Sequence, residues 1–73
     1  MPKLPVLSSS EIICGLRRLG FEQVSQRGSH IKLRRGSATV IVPAHDEVRR
    51  GTLQSILSQA TISIADLIAA LAN

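Results

Sequence analysis

The stretch QRGSHIKLRRGSATVIVP, Gln26 to Pro43, decides how this chain folds. Two Gly-Ser pairs, Gly28-Ser29 and Gly36-Ser37, separate runs of strand-like character, the pattern of strands joined by tight turns. His30 to Arg35 is the clearest run: Ile31 and Leu33 point one way, and His30, Lys32 and Arg34 point the other. Glu22 to Arg27 reads as a strand of weaker alternation before it. ATVIVP, closed by Pro43, reads as a β-branched strand after it. Together they predict a three-stranded antiparallel meander.

Helical patterns flank the meander. SSSEIICGLRRLGF opens on Ser8-x-x-Glu11, a capping-box spacing, carries Ile12, Ile13, Leu16 and Leu19 on one face and stops at Gly20. After an irregular loop, AHDEVRRG, a second helix starts near Gly51-Thr52 with Leu53, Ile56 and Leu57. Thr61-Ile62 interrupts it, and Ser63-x-x-Asp66 opens a third with Ile64, Leu67, Ile68 and Leu71 at helical spacing. The predicted order is α-β-β-β-α-α, an α+β sandwich with the helices on one face of the sheet and the other face wet and basic. No repeat or linker divides it, so residues 1–73 read as one domain.

With 73 residues the domain buries little apolar surface and relies on tight packing or a partner. Cys14 is the sole cysteine. It falls in the apolar pattern of the first helix and reads as a buried, inert thiol, so neither a disulfide nor a thiolate metal site is expected, and a reducing cytoplasm fits. No apolar run spans a bilayer, and the opening MPKLPVLSSS lacks the apolar region of a secretory signal. The expectation is a cytoplasmic protein with no membrane partner.

The formal charge is +4, and its distribution tells more than its sum. Six of the nine Lys and Arg residues, namely Arg27, Lys32, Arg34, Arg35, Arg49 and Arg50, lie between residues 27 and 50, and none follows. A cationic middle beside an aliphatic C-terminal segment points to a polyanionic partner, nucleic acid first. With no Trp or Tyr and only Phe21, the chain has no platform for stacking single-stranded bases. A helix-turn-helix reading of the last two helices is weak, because Ile64 to Leu71 offers base edges only alanines and Asp66.

His30 begins the middle strand, just after Gly28-Ser29 and in line with Lys32 and Arg34. A phosphodiester laid along the two cations would bring a ribose to the imidazole. RNA cleavage needs a base for the 2′-hydroxyl proton and positive charge for the phosphorane-like transition state. A neutral imidazole supplies the first, and Lys32 and Arg34, with Arg27, supply the second. On spacing alone, a histidine on a solvated binding strand is the commoner case, since no second acid–base residue adjoins it. His45, beside Asp46 and Glu47, reads more readily as a turn residue, with proton donation left open. The two histidines and scattered acids do not have metal-ligand spacing.

Taken in order, these segments resemble one family. KLPVLSSSEIICGLRRLGF is similar to the opening helix of the HicA (YcfA-like) toxins, small mRNA interferases of toxin–antitoxin modules. QRGSHIKL carries their Gly-Ser-His motif at Gly28, Ser29 and His30, and VPAH and RRGTLQSILSQA match their Val-Pro-x-His and Gly-Thr-Leu-x-x-Ile-Leu-x-Gln-Ala signatures. The resemblance covers nearly the whole length. Ser9 stands where many relatives have glycine, and Thr61 where the helix often ends in glycine.

The resemblance implies a fold similar to a double-stranded-RNA-binding domain, an endoribonuclease acting on mRNA with His30 as the catalytic residue, and a HicB-type antitoxin that blocks the active face. The expected mechanism is metal-independent 2′-hydroxyl attack, with no cofactor. Arg27, Lys32 and Arg34 are the expected RNA-binding side chains, and the Gly28-Ser29 turn permits close approach. The alternative from another class is a non-catalytic double-stranded-RNA binder, using Arg49 and Arg50 at a helix N-terminus, in which His30 is dispensable.

Overall fold

The computed structural model describes residues 6–72. Most of the opening segment read as lacking a secretory signal, MPKLP, lies outside the described residues. Six elements follow in the predicted order: α1 (Ser9–Arg18), β1 (Glu22–Arg27), β2 (His30–Arg35), β3 (Ala38–Pro43), α2 (Arg50–Ala60) and α3 (Ile64–Ala72). The strands form an antiparallel sheet in the order β1-β2-β3.

Both hairpins close through two-residue loops, with Arg27 opposite His30 and Arg35 opposite Ala38. Gly28 and Gly36 have φ of 60° and 58°, as the first central residue of a type II′ turn requires and as glycine adopts without a Cβ clash. The turns and the alternation therefore specify the same register. In it Ile31, Leu33, Val40 and Val42 face inward and are buried. They form one core with Ile12 and Leu16 of α1, Leu53 and Ile56 of α2, Leu67 of α3, and Phe21.

The helical cover is uneven. α2 packs on β3 and α1 reaches across to it, whereas all six residues of β1 are exposed. EQVSQR has one large apolar residue, Val24, and the β1–β2 register shifts between Gln23 and Ser25. Val24 is thus the extra residue of a β-bulge. The outer edge of β3 is blunted from the other side: the Ile41 N–H donates to Gln59 Oε1 at 2.9 Å, and Gln59 Nε2 donates to Ser55 Oγ at 3.2 Å.

Local chemistry sets the helix ends. The Ser8–Glu11 capping box forms as expected, with the Glu11 N–H donating to Ser8 Oγ (3.2 Å) and the Ser8 N–H to Glu11 Oε1 (3.0 Å). At the other end Gly20 has φ of 99°, and the N–H groups of Gly20 and Phe21 close back on Arg17 and Leu16, both at 3.0 Å, a Schellman pattern. Arg35 Nη1 donates to the Leu19 carbonyl at 2.8 Å, and its guanidinium sits 4.6 Å from the centre of the Phe21 ring. This arginine therefore serves the helical layer rather than the wet face.

α2 begins at Arg50, just ahead of the predicted Gly51-Thr52, and no side chain caps it. It ends at Thr61 in the left-handed conformation (φ 59°), which costs a residue with a Cβ about 1–2 kcal/mol. Cys14 departs from expectation: its thiol is exposed. It stands two residues from both Ile12 and Leu16, about 200° around the helix from each, so the buried stripe passes on the opposite side. No single helix among the described residues is long and apolar enough to cross a membrane.

α1 and α3 approach each other at Gly15, where a Cβ would lie 2.5 Å from Leu67 Cδ1 and 3.4 Å from Leu71 Cγ. Arg18 clasps the same pair of helices, its Nη1 donating to the carbonyls of Ala70 (2.9 Å) and Leu71 (3.3 Å) at the negative end of α3. The start of α3 is held by reciprocal bonds, Ser63 N–H to Asp66 Oδ2 and Asp66 N–H to Ser63 Oγ, both 3.0 Å. The Ser63 bonds hold the Asp66 carboxyl below its ordinary pKa, and the charge of Arg35 adds to the effect.

Two stability measurements follow from these interactions. Gly15→Ala gains about 1 kcal/mol of helix propensity but forces a methyl into fully buried Leu67, an overpacking cost of about 1–3 kcal/mol. Its urea midpoint is expected to fall, and a raised midpoint would show that the helices do not meet there. For Asp66 the depressed folded pKa means a contribution present above the unfolded carboxyl range and lost as pH falls through the folded value. Asp66→Asn should be less stable than wild type at neutral pH and converge with it in acid; a gap independent of pH would contradict the capping role.

Candidate nucleic-acid interface

Burial of Ile31 and Leu33 forces His30, Lys32 and Arg34 onto the face that the helices leave free. Pairing then determines their neighbours. Arg27 and Pro43 flank His30, Ser25 and Ile41 flank Lys32, and Glu22 and Thr39 flank Arg34. The first two rungs surround a concavity of about 400 Å³ lined by Ser25, Arg27, His30, Lys32 and Ile41. Arg27 and His30 are exposed, and Lys32 is half-buried.

The Val24 bulge shapes this face. Glu22 and Arg27 are an odd number of positions apart, which in a regular strand puts them on opposite sides. The extra residue places both beside outward-facing partners, Arg34 and His30. Arg27 thus joins the concavity with His30 and Lys32, whereas Arg34 stands beyond it with the acid Glu22 as its cross-strand neighbour.

Gly28 and Ser29 make the turn that leads into His30. Gln26 Nε2 donates to the Gly28 carbonyl at 3.1 Å, and the Ala44 N–H donates to the Ser29 carbonyl at 2.6 Å. A Cβ at Gly28 would meet nothing within 4 Å, so the turn conformation requires the glycine, and the space around it is open.

His45 lies past the end of β3. Its carbonyl accepts from the Ser9 N–H at 2.9 Å, and the residue lines a second concavity, of about 420 Å³, with Pro43, Glu47, Val48, Arg49 and Thr52. Among the described residues no three His, Cys, Asp or Glu side chains gather where they could hold a metal ion.

Of the residues singled out by sequence, the structure brings Arg27, His30 and Lys32 together, sets Gly28 and Ser29 at their border and leaves Arg34 one rung away. Sequence reading misses Ser25 and Ile41. Strand alternation is the available signal, since Val40 and Val42 pointing inward leave Ile41 on the wet face.

No curated protein matches the chain significantly. A family model described as the HicA toxin of bacterial toxin-antitoxin matches residues 9–62, from the start of α1 past the end of α2. That match takes in the whole sheet, the Gly-Ser-His turn and both histidines, and it covers well over half of the sequence. The chain belongs to the HicA toxin family, the toxin component of a toxin–antitoxin module whose other component is an antitoxin.

Proposed function

We propose that this toxin is an mRNA interferase, an endoribonuclease that cleaves without a metal ion and uses His30 as general base. One observation carries the reading: an imidazole shares an outward-facing concavity with Arg27 and Lys32 beside an open hairpin turn. The imidazole takes the 2′-hydroxyl proton as that oxygen bonds to phosphorus. Arg27 and Lys32 meet the charge that builds on the non-bridging oxygens. The bond to the 5′-oxygen then breaks, leaving a 2′,3′-cyclic phosphate and a 5′-hydroxyl end.

Arg34, one rung further along β2, holds an adjoining phosphate. Gly28 and Ser29 let the nucleotide lie against backbone. The antitoxin is of the HicB type and covers this basic face, and the toxin works in the cytoplasm, where mRNA is found.

RNA cleavage in EDTA by the purified chain and by His30→Ala tests the reading. His30 is exposed, so the substitution spares the core, as circular dichroism will verify. The variant should be slower by about 10²–10⁴-fold, and wild type should leave cyclic phosphate ends. Equal cutting by both removes His30 from the chemistry, and binding without cutting by either leaves a double-stranded-RNA binder.

The phosphate role predicts a separate result for Lys32→Ala. Removing the cation that neutralises one phosphate reduces the slope of log affinity against log salt by about 0.7 on a single strand. An unchanged slope would mean that Lys32 does not touch the backbone of the RNA.

A further inference from the structure

The two concavities are lined by paired residues of one rung of the sheet. Pro43 is the cross-strand partner of His30 and also lines the concavity of His45. His30 therefore adjoins Pro43 across the strands, and His45 adjoins it two residues along the chain. Paired Cα atoms sit about 4.5–5.5 Å apart and two residues reach at most about 7 Å, so the two imidazoles hang from backbone points no more than about 12 Å apart. That separation is short enough for both side chains to address a single phosphodiester.

The segment that carries His45 is irregular but pinned. The Ala44 N–H bonds to the Ser29 carbonyl (2.6 Å), the Ser9 N–H to the His45 carbonyl (2.9 Å) and the Val48 N–H to the Leu7 carbonyl (2.8 Å), the last within an isolated bridge. Through the first of these bonds, the segment that carries His45 is fixed to the turn that presents His30.

We propose that His45 is the general acid of the cleavage, the group that protonates the departing 5′-oxygen. The inference rests on the ribonuclease reading above. In-line displacement at phosphorus puts the attacking and leaving oxygens on opposite sides, so base and acid must approach from opposite sides too. His30 lines one concavity with Arg27 and Lys32, and His45 lines a separate one with Arg49 and Thr52.

The step balances. The 2′-oxygen loses its proton to His30 and bonds to phosphorus. The electron pair of the P–O bond leaves with the 5′-oxygen, which takes its proton from His45. Arginine and the threonine hydroxyl, which also carry protons in the second concavity, hold them too tightly for this role, whereas imidazole exchanges them near neutrality. Glu47 and Arg49 are the charged residues that share the concavity with His45.

The test uses an RNA that wild type cuts at a mapped position and the same RNA with sulfur replacing the 5′-oxygen there, because a thiolate departs without a proton. His45→Ala should cut the ordinary RNA about 10²-fold or more slowly and lose less than about tenfold on the sulfur-bridged one. His30→Ala should be slow on both. Retained cutting of the sulfur-bridged RNA also shows that His45→Ala is folded, and the Ser9 bond, made to the backbone of His45, survives the substitution. The inference is overturned if His45→Ala cuts the ordinary RNA at the wild-type rate, or if it loses equally on the two substrates. If wild type cuts no RNA at all, the ribonuclease reading itself has failed and takes the inference with it.

Discussion

β2 is bonded on both sides, and the residues that point inward from it, Ile31 and Leu33, lie at the centre of the only sheet the described residues form. Strand geometry leaves the intervening residues no choice of side. His30, Lys32 and Arg34 face outward because their neighbours are buried, so the hydrophobic effect that folds the chain also aims its polar groups. A one-residue slip of β2 would exchange the two sets. The glycine turns at Gly28 and Gly36 guard against that slip, each accepting only a two-residue loop between the strands it joins.

Around this strand the small core is held by interactions that look incidental in the sequence. Gly15 lets α3 settle against α1. Arg18 and Arg35 commit their guanidinium groups to the carbonyls of helix ends. Five of the basic residues thus divide into two kinds. Arg18 and Arg35 bind the molecule to itself, while Arg27, Lys32 and Arg34 are turned outward with the histidine.

The features legible in the sequence are those governed by local rules. Glycine at a turn, alternation along β2, the β-branched run of β3, and the reciprocal Ser–Glu and Ser–Asp caps each act within a few residues, and all appear as expected. The grouping of His30 with Lys32 is legible for the same reason, and Arg27 follows from its place across the turn. What stays hidden depends on neighbours distant in sequence or on a break in period. Nothing in EQVSQR announces the Val24 bulge, and nothing near Arg35 shows that it turns back to Leu19. Cys14 misleads because its apolar character says nothing of its angle around α1. The second concavity has no sequence signal because it forms only when the end of β3, the following loop and the start of α2 come together.

The cap that Gln59 places on Ile41 has a consequence for how copies of this protein can meet. Of the three β3 residues whose backbone faces outward, Ile41 has its N–H engaged and Pro43 has none, so Thr39 alone can donate to an incoming strand. Unlimited stacking of sheets into a ribbon needs two receptive margins on every molecule, one to join the last copy and one to admit the next. Here one margin is blunted, and a like-with-like association through the other would consume it in both participants. Growth past a pair is disfavoured on that geometry, and a basic chain of this size is less open to the fibrous aggregation that a three-stranded sheet with two bare sides invites.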